Sequence, residues 1–291
     1  MAWTLTHEIA DYQAAAGGLL SADPVRNTVL LTVLASLVSL GPTAFGPEPP
    51  LFGWWARGDG ADQGAAGPSG SAGAAVLQTP PHTLLITGLP EGSAAELAQA
   101  LTSRGISLPG VNGAEGHVTE FAAAWHQLTG VRGEVSQRQR LYRLGELVRP
   151  GSPPRGVARV ATTADASVAR ALYSAFAAEV GQDDAPGSLI ADRLRNGQLM
   201  LWEVDGEPVS IAGVSPVLGG VARIGPVFTP AQWRGRGYGG AVTAAIGDLA
   251  AGRGATSVVL FTDLANPESN SLYVRLGYQP VEDRVLLLFE R

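Results

Sequence analysis

The sequence predicts an α+β protein: a mixed, mainly antiparallel sheet flanked by helices, preceded by a related α/β domain. Three observations carry that expectation. The 291 residues are 45% hydrophobic, which suits two soluble domains of ordinary size. In the second half, strand-like and helix-like runs interleave as strand, helices, three strands, helix, strand, helix, strand. Two stretches rich in glycine and proline, at 58–75 and 149–156, punctuate the chain.

Composition narrows the chemistry. There is no cysteine, hence no disulfide, thiol nucleophile or cysteine metal site. His7, His82, His117 and His126 are scattered at no metal-ligand spacing, so no metal is expected. A net charge of −6 and a pI near 5.3 argue against nucleic acid as a partner and fit a soluble, cytoplasmic protein. The strongest apolar run, 29–40, is too short to cross a bilayer and lacks the flanks of a signal peptide, so no membrane partner is expected. It reads as a core helix, capped by Asp23, opened by Pro24 and stopped by Gly41-Pro42. Thr28, Thr32, Ser36 and Ser39 share one face, leaving Leu30, Val33, Leu34 and Leu37 to pack.

After that helix come a strand at 51–56, a flexible hairpin loop with six glycines at 58–75, and strands at 75–78 and 83–87. Helices at 94–103 and 115–128 and a strand at 139–146 complete the first half. Residues 149–156, with three prolines and two glycines, read as a linker between domains at 1–148 and 157–291. The second domain opens with a strand at 157–161 and helices at 165–180 and 188–196. Strands at 198–204 and 207–214 are joined by Asp205-Gly206, the sharpest hairpin signal in the chain. A third strand at 222–228, a helix reaching 251, a strand at 256–261, a helix at 269–276 and a strand at 284–289 follow. The first half repeats this order faintly, which suggests a duplication.

The segment that carries chemistry is Arg234-Gly235-Arg236-Gly237-Tyr238-Gly239-Gly240, between a strand and a helix. Its glycines let backbone amides approach a ligand without a Cβ in the way. Those amides lie at a helix N-terminus, where unpaired donors and the dipole attract anions. Two arginines add positive charge. The segment therefore reads as a pyrophosphate cradle. It lacks the Lys-Ser/Thr ending of a P-loop and the parallel-sheet context of a dinucleotide fingerprint.

Arg234, Gly237 and Gly239 in this spacing resemble the coenzyme A motif of the GNAT acyltransferases. The segment from Phe261 through Asn266 to Tyr273 and the ending Arg275-Leu276-Gly277-Tyr278 resemble the same family, in the right order. The resemblance covers roughly 157–291, and the layout resembles two-domain members whose first domain is a degenerate GNAT-like copy. It implies acetyl-CoA as co-substrate, without a metal, and an acetyltransferase moving the acyl group to an amine of a small molecule or peptide. Backbone groups of Val227, Phe228 and Thr229 would pair with the pantetheine arm. The amides of Arg234, Gly235, Arg236, Gly237, Tyr238, Gly239 and Gly240 would hold the pyrophosphate. Asn266 would bond the arm, and Tyr273 would protonate the leaving thiolate.

Direct attack on the thioester needs a base, and the strand before the cradle carries no carboxylate, unlike members with a glutamate there. Glu203, Asp263 and Glu179 are the candidates, with Glu203 taken first. Asn266-Pro267 also suits a helix start, Tyr273 suits helix packing, and Asn270 reads as solvated. In the first half Gly88-Leu89-Pro90-Glu91-Gly92 stands where a cradle would be, and Pro90 and Glu91 disfavour phosphate. That half is expected not to bind coenzyme A. It would shape the acceptor site or form an interface, and a homodimer is compatible with that role. Of Trp54 and Trp55, one is expected in the core. Two rival readings stay open: a regulatory module that holds acyl-CoA without turnover, and a nucleotide-binding protein.

Overall fold

A computed structural model of the protein describes residues 2–56, 72–149, 151–181 and 184–290. The first half contains β1 (Ala2–Thr6), α1 (Ile9–Ala22), α2 (Thr28–Leu40), β2 (Leu51–Ala56), β3 (Ala72–Gln78), β4 (Leu84–Ile86), α3 (Ser93–Thr102), β5 (Gly110–Ala114), α4 (Glu115–Thr129) and β6 (Gly133–Leu144). The second contains β7 (Val157–Val160), α5 (Ala166–Val180), α6 (Gly187–Arg195), β8 (Leu199–Val204), β9 (Glu207–Val214), β10 (Val221–Phe228), α7 (Tyr238–Gly252), β11 (Ser257–Asp263), α8 (Pro267–Arg275) and β12 (Tyr278–Phe289).

The chain forms two compact units, Met1–Arg140 with Glu282–Arg291, and Leu141–Val281. The unit boundaries fall inside β6 and β12, so each half gives the end of its last strand to the other unit. Residues 284–288 of β12 pair antiparallel with 110–114 of β5. The C-terminal end of β6 lies beside β11 in the second unit. A linker reading of 149–156 could not anticipate that exchange, since it depends on tertiary pairing rather than on turn residues.

In the first unit the strands run β1-β2-β3-β4-β5-β12, with β4 and β5 parallel. In the second they run β6-β11-β10-β9-β8-β7, with β10 and β11 parallel. The order of strand, two helices, three strands, helix, parallel strand, helix thus recurs in both. Within the second unit, one apolar cluster on the α5 and α6 side holds Leu172, Tyr173, Ile190, Leu201, Ile211 and Phe228. The other, on the α7 and α8 side, holds Ile224, Tyr238, Val242, Leu260, Tyr273 and Tyr278.

The apolar helix begins later than its capping residues suggested. Asp23 accepts from the Arg26 amide in a turn, and the helix starts at Thr28. Thr28 and Thr32 are buried together with Leu30, Leu34 and Leu37, so the threonine face packs as well. β1, α1 and β5 had no counterpart in the sequence reading. In α1 the adjacent Gly17 and Gly18 each disfavour helix by about 1 kcal/mol. Tyr12, Ala16 and Leu20, at four-residue intervals, offset this by complete burial of one stripe. The glycine-rich loop expected at 58–75 lies outside the described residues up to position 71. Trp55 is the core tryptophan, its indole donating to Glu96, and Trp54 is half-buried.

Candidate active site

Every candidate residue belongs to the second unit. β10 and β11 pair in parallel from Val221↔Ser257 to Ile224↔Leu260, and no further pairing follows. β10 continues to Phe228 on β9 alone, with Val227 opposite Ala212 and Phe228 opposite Ile211 after a bulge. Pro226 has no amide to give a ladder, which suits the point where a sheet opens. The result is a cleft between β10 and β11, closed at Ile224. The Phe228 carbonyl accepts from the buried Ser210 hydroxyl on β9. Strand alternation then turns the Val227 carbonyl to the open edge.

The cradle stands at the open end. Gly235 and Gly237 have φ of 73° and 84°, a left-handed conformation that favours glycine, so the stretch is not continuous helix. Residues 234–237 are exposed, and α7 begins at Tyr238 with no side chain capping it. Ala241 bonds the Gly237 carbonyl, but among the described residues no acceptor meets the amides of 235–240. These are the orphan donors of a helix start, facing outward. The corresponding helix mouth in the first unit is closed, since the Ser93 amide and hydroxyl both donate to the Pro90 carbonyl.

The arginines act differently from the expectation of phosphate charge alone. Arg234 Nε donates to the Thr229 carbonyl at 2.9 Å, its far end pairs with Glu179, and its guanidinium lies over the Phe228 ring. It fastens the loop to the strand end. Arg236 is exposed and stacks over Trp233 at 4.9 Å. Close packing ties the mouth of α7 to its neighbours: a Cβ on Gly239 would lie 3.4 Å from Thr229 Oγ1, and one on Gly240 3.1 Å from Leu272 Cδ1 of α8.

α8 carries Tyr273, which is buried, and its hydroxyl has no hydrogen-bond partner among the described residues. Burial pushes its pKa up to about 12, so it is protonated at neutral pH. Its ring meets Tyr278 edge-on, and Tyr278 is shifted upward by burial and by that neighbour. Asn266 is exposed and caps α8, its side-chain oxygen accepting from the Ser269 amide at 3.0 Å. Asn270, expected in solvent, is fully engaged instead. It donates to the Asp263 and Asn266 carbonyls and accepts from Thr262 and Tyr142, locking the end of β11 to α8. Its value was hidden from sequence because its partners come from three separate elements.

The carboxylates expected as bases are occupied. Glu203 on β8 pairs with Arg159 at 2.6 Å, and Arg159 also holds Asp165 in a bidentate pair, driving that carboxyl well below its usual range. β9 separates β8 from β10, which puts Glu203 two strand spacings, about 10 Å, from the cleft edge. Its role here is to anchor β7 to β8. Glu179 is taken by Arg234, and Asp263 accepts from the Ala265 amide. Sequence reasoning missed Arg193 and Tyr173, whose side chains meet at the closed end of the cleft.

Residues 166–278 match the Acetyltransferase (GNAT) family. This segment is a GNAT domain. The match spans α5 to Tyr278 and so contains the cleft, the cradle and Tyr273. Solved structures share the fold. A GCN5-related N-acetyltransferase from Sphaerobacter thermophilus is 18% identical, covering 98% of this chain and 94% of its own, with a TM-score of 0.58. One from Kribbella flavida is 21% identical over 74% of this chain and 86% of its own, at 0.54. A GNAT-family acetyltransferase from Colwellia psychrerythraea covers 100% of both chains at 13% identity and 0.58. No curated protein sequence matches the chain. Acyl transfer is the chemistry of the family that this segment matches.

Proposed function

We propose that the domain moves an acetyl group from acetyl-CoA to a primary amine by direct attack on the thioester. The observation that carries this reading is the pairing of an open strand edge at Val227 with an acceptor-free helix mouth at 235–240. The mouth would take the pyrophosphate, and the edge would take the pantetheine amides by strand addition. The neutral amine nitrogen bonds to the thioester carbonyl carbon as the carbon–sulfur bond breaks. The thiolate takes a proton from Tyr273, and the proton lost by nitrogen passes through water and restores the phenol. With no cysteine in the chain, no thiol acyl-enzyme enters the path.

Calorimetry with acetyl-CoA, followed by thiol release with a panel of amines, tests this. Binding with amine-dependent thiol release is expected, and absence of binding sinks the reading. The chain has no lysine, so acetylation of its own side-chain amines does not confuse the assay. A second reading, a module that holds acyl-CoA without turnover, draws on the engagement of Glu203, Glu179 and Asp263. It predicts tight binding with no thiol release for any amine. The first unit would serve as a degenerate copy that does not bind coenzyme, in keeping with its closed helix mouth.

A further inference from the structure

We propose that the amine accepted by this domain also carries a carboxylate, and that Arg193 grips that carboxylate beside the closed end of the cleft. This rests on the acyl-transfer reading. If the pyrophosphate sits at 235–240, the arm must run from Phe228 back toward Ile224, where β11 closes the way. That path is about 10 Å at strand rise, and it ends beside Gly225. The thioester therefore comes to rest at Gly225.

Arg193 of α6 is at that point. Its Nη1 donates to the Gly225 carbonyl at 2.9 Å and to the Tyr173 hydroxyl at 2.7 Å. Both partners are neutral, and among the described residues no carboxylate pairs with Arg193. A guanidinium has five donors, so Nη1 is anchored while the Nε and Nη2 edge keeps its hydrogens without an acceptor among the described residues. That edge is the fork that matches a carboxylate bidentately. A second guanidinium, Arg223 of β10, is near enough that burial and the charge of Arg193 together push its pKa down to about 10.

The backbone is cleared for this arrangement. A Cβ at Gly213 of β9 would lie 2.8 Å from Arg193 Nη1, 2.8 Å from the Gly225 carbonyl oxygen and 2.9 Å from Tyr173 Oη. Only glycine leaves room for the guanidinium there. A small amino acid, with amine and carboxylate a few atoms apart, fits an anion grip next to a thioester. A polyamine would bring positive charge against the Arg193 guanidinium.

The test compares free amino acids with their carboxamides and decarboxylated amines, using acetyl-CoA and thiol release. The wild type should favour the acids by about tenfold or more in kcat/KM, as a charge-assisted fork implies. Arg193→Gln should erase that preference, with the loss falling mainly on KM for the acids, and Arg193→Lys should restore part of it. Equal use of acid and amide by the wild type, preference for polyamines or phosphorylated amines, or an unchanged preference in Arg193→Gln would overturn the proposal. If acetyl-CoA itself does not bind, the parent reading fails separately. Calorimetry with the same acid and amide pairs, without coenzyme, then decides: acid-selective binding lost in Arg193→Gln supports the grip, and no selectivity overturns it.

Discussion

Replacing Gly237 by alanine separates the cost of a backbone conformation from the value of the amides it aims. Gly237 has φ of 84°, and its Cβ would meet only Pro154 carbons at 3.8 Å, an ordinary contact. The stability cost is therefore conformational, about 1–2 kcal/mol for an L-residue held left-handed. If the loop relaxes to relieve it, at least one charge-assisted bond to phosphate is lost, worth about 1.5 kcal/mol or a tenfold weaker Kd. With acetyl-CoA at a hundred times its wild-type Kd, the ligand stabilises the wild type by about 2.7 kcal/mol and the variant by about 1.4 kcal/mol. Thermal melts with and without acetyl-CoA should show the ligand-induced shift falling by about half, on top of a lower unliganded Tm. Gly247→Ala serves as control: it lies inside α7 with open space around it, and should gain up to about 1 kcal/mol without changing the ligand shift. A Gly237→Ala protein that is destabilised as expected yet keeps the full ligand shift would refute the cradle.

Tyr273→Phe removes a hydroxyl that bonds none of the described residues, so Tm should hold while kcat falls about a hundredfold with KM unchanged; equal loss of both points to packing alone. Glu203→Gln should cost about 1 kcal/mol of stability by weakening the Arg159 pairs and leave kcat near wild type; a hundredfold fall would make Glu203 the base after all. Tyr12 buries a hydroxyl without a partner, so Tyr12→Phe should stabilise by about 1 kcal/mol, read as a raised Tm. Burial raises the pKa of Tyr12, Tyr173, Tyr273 and Tyr278, so above about pH 10 the unfolded chain releases phenolic protons that the folded chain retains. Stability should be insensitive to these groups below pH 10 and then fall by up to about 1.4 kcal/mol per pH unit for each, for Tyr273 until about pH 12; a flat denaturation midpoint between pH 10 and 11 would contradict their burial.

Much of the second unit was legible because its signals are local. The hairpin at Asp205-Gly206, the strand at Glu207–Val214 and the glycine entry to α7 depend on turn chemistry and periodicity within a few residues. The first half was harder for the same reason in reverse. The helix Ile9–Ala22 is written in alanine and paired glycine, and only burial of Tyr12, Ala16 and Leu20 makes it a helix. The short strand Gly110–Ala114 holds two glycines and exists through its partners β4 and β12. The exchange of last strands between units is likewise a matter of long-range pairing, on which local composition is silent.

The same distinction between local and long-range signals runs through the site and its arginines. On sequence, Arg234 and Arg236 beside four glycines look like charges for a phosphate. In the fold, Arg234 spends its donors on the Thr229 carbonyl and on Glu179, so the charge it offers an anion is already countered. What remains for a diphosphate, on the proposed reading, is the row of amides at 235–240, which no acceptor among the described residues meets. Arg193 stands some 10 Å away along the strand, bonded to the Gly225 carbonyl at the closed end of the cleft. On the proposed reading the two ends use different groups: neutral donors for a ligand that arrives already charged, and the Arg193 guanidinium where the second reactant is chosen. An Arg234→Gln variant should accordingly loosen the loop and weaken acetyl-CoA modestly, with no effect on acid-over-amide preference. Arg193→Gln should do the reverse, and a single variant that altered both properties together would show that the ends are not independent.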